Sequence, residues 1–433
     1  MNNKQRTVNK ERGASGMKSV NATAQWARSE ASRCLFCVDA PCMKGCPTEI
    51  DIPQFIRLLR WGDVKGAKEI IKAANCLGTL CGYLCPSEEL CEKNCLRSKI
   101  DSPIRIAALQ RFACDHGQYR LETLRPRGVK KRVAVIGAGP AGISCAVELR
   151  NLGYKVEIFE REGEIAGTVA REIPEFKLPR SLIDREMKEL EIDKIKIHFG
   201  IEVDPKKLET EIEKYDAVFL GVGLSKAREA RLKGETLKNV FDASVFLSRA
   251  KNGRVKKLKG VCVTIGGGDT ALDCAKTALR LGATRSVVAY RRSQREMPAA
   301  EPEFLTSVRE GVEFLWQVSP VRLIGEEKVA QVEFIRTELE SSSAGRRRFK
   351  EIPGTKFKFP ADAVILALGK ERDDLLNSIP ETGKKAINPE TLQLGDTKYF
   401  AGGDVVNLGK TVVEAVAHGK KAAHSIDRYL RTI

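Results

Sequence analysis

The chain has 433 residues, with 74 Lys+Arg against 57 Asp+Glu and 13 cysteines. That length predicts two to four domains. No apolar run reaches the roughly 18 residues of a membrane span, and the polar start MNNKQRTVNKERGASGMKSV lacks the apolar core of a signal peptide. Clustered cysteines without an export signal suit a reducing cytoplasm, where thiols bind metal, and exclude a small secreted disulfide scaffold.

A formal charge of +17 raises the question of nucleic acid. Residues 1–128 hold 21 Lys+Arg and 13 Asp+Glu, a balance of +8. Metal-bound thiolates and nucleotide pyrophosphates would offset much of it. With seven Tyr and three Trp in the whole chain, no basic stripe interleaved with aromatics exists, so nucleic acid is not expected. An acidic protein partner stays open.

In chain order, residues 1–20 are polar, and a helical stretch over 21–33 leads into Cys34. Residues 47–75 carry Ile52, Phe55, Ile56, Leu59, Val64, Ala67, Ile70 and Ile71 at helical spacing, with Asp51 and Pro53 as a start signal. Residues 103–116 read as a further helix. A basic linker with Pro126 and Gly128 marks a boundary at 125–131. Beyond it the texture becomes α/β: strand, glycine turn, helix and strand from RVAVIGAG to KVEIFERE, then the buried strand YDAVFLGVG. The same unit recurs from GVCVTIGGG to RSVVAYRR, an internal repeat of the dinucleotide-binding fold. Strands VAQVEFIRTELE, ADAVILALG and KYFAGGDVV precede a terminal helix over 411–430.

Nine of the cysteines fall within 34–95. Cys34, Cys37, Cys42 and Cys46 read C-x2-C-x4-C-x3-C-P; Cys81, Cys85, Cys91 and Cys95 read C-x3-C-P-x4-C-x3-C. Both carry the Cys-Pro step of bacterial ferredoxins, and neither shows the paired C-x2-C spacing of structural zinc. Two four-iron clusters would need eight ligands, and by spacing alone Cys81 is the eighth. Thiolates holding iron beside two nucleotide sites read as an electron-transfer chain.

GAGPAG places Gly137, Gly139, Pro140, Ala141 and Gly142 directly after a strand. The glycines serve a tight turn, close approach of a pyrophosphate, and helix–strand packing. Glu160 ends the next strand, where an acid bonds ribose hydroxyls and repels a 2′-phosphate, which suits FAD or NAD. GGGDTA sets Gly266, Gly268, Asp269, Thr270 and Ala271 in the same frame, but its second strand ends in Tyr290-Arg291-Arg292. Guanidiniums there can fork onto a 2′-phosphate, which suits NADPH, and Arg295 can share the role. In AGGDVV, Gly403 and Asp404 precede the helix after Thr411 and fit a segment passing under a flavin; an Asp helix cap is the simpler alternative. Hydride transfer between two cofactors asks the protein for orientation and electrostatics, so no acid–base residue is expected. Cys262 and Cys274 do not form Cys-x-x-Cys and read as core residues.

RCLFCVDAPCMKGCPTEIDI, LGTLCGYLCPSEELCEKNC, PIRIAALQRF, VIGAGPAG, REIPEFKLP, GGGDTALD, YRRSQREMP and AGGD, in that order over about 25–430, resemble the glutamate synthase small-subunit family. That family includes the flavin half of dihydropyrimidine dehydrogenase. The resemblance implies a helical domain with two [4Fe–4S] clusters over 1–128. It also implies an FAD domain in two parts, 129–232 and 370–433, with an NADP domain, 233–369, inserted between them. It implies that NADPH (or NADH) reduces FAD, with electrons leaving through the clusters to a partner subunit in a hetero-oligomer. That partner is either an FMN-barrel pyrimidine reductase or a glutamate synthase large subunit; a related transhydrogenase subunit or a non-catalytic metal-binding relay are the other readings. Carried over residue by residue, Cys34, Cys37, Cys42 and Cys95 hold one cluster, and Cys46, Cys85, Cys91 and Gln110 the other, leaving Cys81 and Cys76 spare. Gln110 points to the pyrimidine branch. Two departures stand out. Ala166-Gly167 replaces the family's Gly-Gly pair near the flavin, with Gly167 retained, and the basic YRR stretch looks like the NADPH-using glutamate synthase members.

Overall fold

The computed structural model describes residues 23–120, 130–340, 349–372, 375 and 387–432. The polar start and most of the basic linker at 125–131 lie outside them. The helical region begins at Ala24–Ser32, whose cap Thr23 accepts a hydrogen bond from the Trp26 amide at 3.1 Å. The apolar pattern over 47–75 resolves into two helices rather than one. Gly62, at φ 86°, closes Ile52–Trp61 in the left-handed conformation, and Asp63 then caps Val64–Ala74 by accepting from the Gly66 amide at 2.8 Å. Phe55, Ile56, Leu59 and Ile71 meet Leu109 and Phe112 of the helix Ile106–His116 in one core, which also takes in Cys46 and Cys95.

Two parallel sheets follow. The first runs Tyr399–Ala401, Ala217–Leu220, Arg132–Ile136, Lys155–Glu160, Lys196–Phe199. The second runs Val240–Asp242, Ala363–Leu366, Val261–Ile265, Arg285–Tyr290, Glu313–Trp316. Both are in doubly wound order, so ligands are expected where the strand order reverses, at the carboxyl ends. Leu224–Ala227 and Lys370–Arg372 pair antiparallel, and all of the second sheet lies between them in sequence. The second unit is thus inserted into the first through two adjacent crossings. It also carries an antiparallel sheet, in which Gln331–Leu339 pairs with Val318–Ile324, Phe349–Glu351 and Phe357–Pro360.

The helix Gly78–Leu84 belongs to the helical region by sequence but packs into the first sheet's core. Leu77, Leu80 and Cys81 are at most 1% exposed and share a cluster with Val133, Ile143 and Val416. Charged residues reinforce this seam. Lys72 and Glu186 are fully buried and 2.8 Å apart, and Lys68 reaches Glu189 at 2.6 Å. The other oxygen of Glu186 accepts from the Thr79 amide at 3.0 Å, in the first turn of Gly78–Leu84. Buried carboxylates persist only when paired and hydrogen-bonded, so the helical region is docked by specific partners. Among the described residues no helix is long and apolar enough to cross a membrane.

Candidate cofactor sites

A cavity of about 1570 Å³ runs along the carboxyl ends of both parallel sheets. This exceeds the roughly 300–1,000 Å³ of a single small-molecule pocket. Of the residues assigned above to nucleotides, all line it except Gly142 and Arg295. Gly142 lies beneath the turn, where a Cβ would strike the Gly137 carbonyl oxygen. Gly139 and Gly268, each the residue before a twelve-residue helix, have nothing within 4 Å of where a Cβ would stand. An open cradle at a helix N-terminus fits a pyrophosphate in both units.

Glu160 is 6% exposed and braces the first turn, accepting from the Ala138 amide at 2.7 Å and the Glu162 amide at 2.9 Å. Ala166 holds φ 74°, a left-handed conformation that costs a non-glycine residue about 1–2 kcal/mol. The chain accepts that cost because the Ala166 amide donates to the Ala138 carbonyl at 2.9 Å, and a Cβ at Gly167 would press on Gly139. The departure from Gly-Gly therefore leaves the turn seated on the fingerprint. Asp404 opens the short helix Asp404–Asn407, and burial pushes its carboxyl up. The terminal helix Val412–Thr432 starts with a capping box, Glu414 accepting from the Thr411 amide at 3.0 Å and hydroxyl at 2.8 Å. Asp269 sits at the start of the second fingerprint's helix, and burial raises its pKa although it accepts from the Ala300 amide at 3.1 Å. Arg291 and Arg292 lie over the Phe349 ring at 4.7 and 5.7 Å. Arg295 falls in the turn Gln294–Glu296, off the cavity wall.

Sequence reasoning missed what spans the two units. The motif REIPEFKLP forms a clasp: Glu172 pairs with Lys370 at 2.6 Å, Lys251 donates to the Ile173 carbonyl at 2.8 Å, and Phe176 lies 3.9 Å under the Arg280 guanidinium. Lys177 reaches Asp273 at 2.7 Å and Glu303 at 3.2 Å. Burial works against its charge, but these carboxylates more than offset that and raise its pKa. The motif was visible in the sequence; its partners, up to about 200 residues away, were not.

The thiols divide into two sets. Cys34 feels Cys95 and Cys37, and Cys42 feels Cys95 and Cys34; burial first, then these neighbours, push the Cys42 thiol up to about 12. Cys34 accepts from the Phe36 amide at 3.5 Å and Cys95 from the Ile104 amide at 3.4 Å. The second set lines a small cavity formed by Cys46, Cys81, Cys85, Cys91, Asn75 and Gln110. There Cys85 is raised well above the usual thiol range by a hydrogen bond with Cys81, then by burial, and it also feels Cys91 and Cys46. Gln110 donates its Nε2 to the Gly78 carbonyl at 2.7 Å, which leaves its amide oxygen as the free end. Among the described residues no three His, Cys, Asp or Glu side chains converge on a single ion point. Soft thiols fit an iron–sulfur cluster: the first set has backbone N–H groups on two of its sulfurs, and the second lines a cavity. Cys85, Ser87 and Ala107 line both the small cavity and the large one, so the two sites share a wall. Cys262 and Cys274, by contrast, are fully buried, and burial pushes Cys262 to about 12, as suits core residues.

Residues 14–121 match the family described as dihydropyrimidine dehydrogenase domain II, 4Fe-4S cluster, and residues 131–419 match pyridine nucleotide-disulphide oxidoreductase. The chain is 34% identical to the glutamate synthase [NADPH] small chain of Halomonas elongata, covering 94% of this chain and 91% of that one. It is 37% identical to the NAD-dependent dihydropyrimidine dehydrogenase subunit PreT of Escherichia coli, covering 94% and 95%. It is 36% identical to the NADP(+)-dependent formate dehydrogenase subunit beta of Moorella thermoacetica, but spans only 60% of that relative's length. Among solved structures, FprA of Mycobacterium tuberculosis in complex with NADPH superposes with a TM-score of 0.56 at 18% identity, covering 70% of this chain and 85% of that one. That likeness speaks to the fold alone.

Proposed function

The chain belongs to the glutamate synthase small-subunit family, and from that premise we propose that it is the electron-input subunit of a larger reductase. It is an NAD(P)H-dependent flavoprotein oxidoreductase with FAD, NADP and iron–sulfur centres. Bound FAD and clusters supply the redox chemistry, hydride from NAD(P)H entering and single electrons leaving.

The chain's own residues orient and insulate. Gly137, Gly139 and Glu160 hold the flavin nucleotide, with Asp404 and the first turn after Thr411 beside it. Gly266, Gly268 and Arg291–Arg292 hold NADPH facing it. Cys34, Cys37, Cys42 and Cys95 hold one [4Fe–4S] cluster; Cys46, Cys85, Cys91 and Gln110 hold the second. The domains divide as 1–128, 129–232 with 370–433, and 233–369. The setting is cytoplasmic, and electrons pass to a catalytic partner subunit. The single observation that carries this reading is the wall shared by the thiol cavity and the nucleotide cavity at Cys85, Ser87 and Ala107.

Gln110 in the thiol cavity favours a partner that reduces pyrimidines. Arg291 and Arg292 on the cavity wall favour the second reading, an NADPH-using glutamate synthase small subunit. The purified protein is expected to show flavin absorption that bleaches with NADPH under anaerobic conditions. A protein without flavin, or one that NADPH leaves unbleached, would overturn the proposal. The subunit that co-purifies decides between the two partners.

A further inference from the structure

Asn75 is fully buried, yet neither its side-chain oxygen nor its side-chain nitrogen has a hydrogen-bond partner. Its backbone groups are both engaged. The Asn75 amide donates to the Ile71 carbonyl at 2.9 Å, and its own carbonyl accepts from the Gly78 amide, also at 2.9 Å. Gly78 in turn accepts from Gln110 Nε2 at 2.7 Å, so one residue ties the Asn75 backbone to the Gln110 side chain. Both side chains line the cavity of Cys46, Cys81, Cys85 and Cys91. A buried carboxamide without a partner is costly, and native interiors keep such groups only where something satisfies them. The sulfurs that face this cavity accept hydrogen bonds and donate none once they are thiolates or sulfides, which assigns the Asn75 –NH2 as the donor.

We propose that Asn75 donates a hydrogen bond to a sulfur of the iron–sulfur cluster held by Cys46, Cys85, Cys91 and Gln110, and that this bond raises the cluster's reduction potential. The inference rests on the reading of that cavity as a cluster site. A donor on sulfur stabilises the more negative, reduced state, and hydrogen bonds to the sulfurs are among the levers that set such potentials. Two of the sulfurs in the Cys34–Cys95 set already accept backbone N–H groups. In the Asn75 cavity the amide supplies the corresponding bond from a side chain, which a substitution can remove without disturbing the chain path.

The test is an anaerobic redox titration of the full-length holoprotein, followed by electron paramagnetic resonance, for wild type, Asn75→Leu and Asn75→Ser. The expected result is a lower potential for one cluster only, with unchanged iron content and flavin potential, and a smaller shift for the hydroxyl-bearing Asn75→Ser. Unshifted potentials at full iron content overturn the inference. Loss of one cluster's iron in Asn75→Leu, with iron retained in Gln110→Leu, also overturns it, because Asn75 would then be a ligand. Should the variants not fold, the wild-type reduced cluster decides: an exchangeable-proton coupling and a nitrogen coupling from side-chain-labelled asparagine support the bond, and their absence overturns it. A wild-type protein with no iron–sulfur signal sinks the cluster reading itself, a different outcome from an unshifted potential.

Discussion

Cys46, Cys85 and Cys91 face a cavity backed by the nucleotide-binding unit, with Val413 of the terminal helix in its wall. Cys34 and Cys37 sit instead in a loop and Cys42 in the short helix Pro41–Lys44, and residues between them reach solvent, Leu35 at 44% and Val38 at 91% exposure. Arg33 and Arg97 staple those loops to the 95–102 segment, Arg97 donating to the Arg33 carbonyl at 3.3 Å and Arg33 pairing with Asp101 at 3.0 Å. Both sets lean on the helical core, which takes in Cys46 and Cys95 with Cys34 and Cys42 packed against it; the inner set adds a seam with a buried ion pair, and the outer set adds surface staples. One thiol set thus lies against the nucleotide cavity and the other toward solvent, the arrangement that a relay with an entrance and an exit would need.

The contrast can be broken most directly at the ligands. Cys85→Ala and Cys37→Ala should each lose about half of the iron, as expected for one of two four-iron clusters. Only Cys85→Ala should also alter the flavin absorption spectrum, because Cys85 lines both cavities. Equal flavin spectra in the two variants would erase the distinction between inner and outer. Within the inner set, iron analysis should find Gln110→Ala depleted and Cys81→Ala intact; the reverse would restore Cys81 as the eighth ligand.

Next in size is the seam. Lys72→Met strands the buried Glu186 carboxylate and should cost about 3–5 kcal/mol of stability, read as a lower denaturation midpoint. Charge reversal of exposed Asp101, whose pairs with Arg33 and Arg97 are screened by solvent, should shift that midpoint far less. At the far end of the path, Arg291→Ala should raise KM for NADPH by roughly 10–100-fold, since hydrogen bonds to charged groups are worth about 1.5–3 kcal/mol, and leave KM for NADH unchanged. Smallest of all, Val38→Ser should change stability by no more than about 0.5 kcal/mol and leave the iron content as it is.

Much of this was legible in the sequence. Strand–glycine–helix–strand units are local patterns, and GAGPAG and GGGDTA announce their turns within a few residues. The cysteine spacing announced the thiols, but their grouping came only with the family resemblance, because Cys95 joins Cys34 across 61 positions through tertiary packing. Lys68 and Lys72 look like a solvated helix edge until Glu186 and Glu189 arrive from more than 100 residues away. Asn75 carries no signal at all: a single amide between helices gains meaning only from what encloses it. The split at Gly62-Asp63 could have been read, since glycine followed by a capping residue is a stop and a start.

The two crossings Leu224–Ala227 and Lys370–Arg372 have a consequence for how the molecule can be taken apart. Lys370 pairs with Ala227, and the Arg228 amide donates to the Gly369 carbonyl at 3.1 Å. The entry and exit of the inserted unit therefore lie side by side, a strand spacing apart. A short hairpin turn in place of 228–369 would close the chain along the paired strands Leu224–Ala227 and Lys370–Arg372, leaving the clasp residues Phe176 and Lys177 without their partners. The unit carrying the second fingerprint is, in its chain path, a cassette whose two ends meet the first unit at one place.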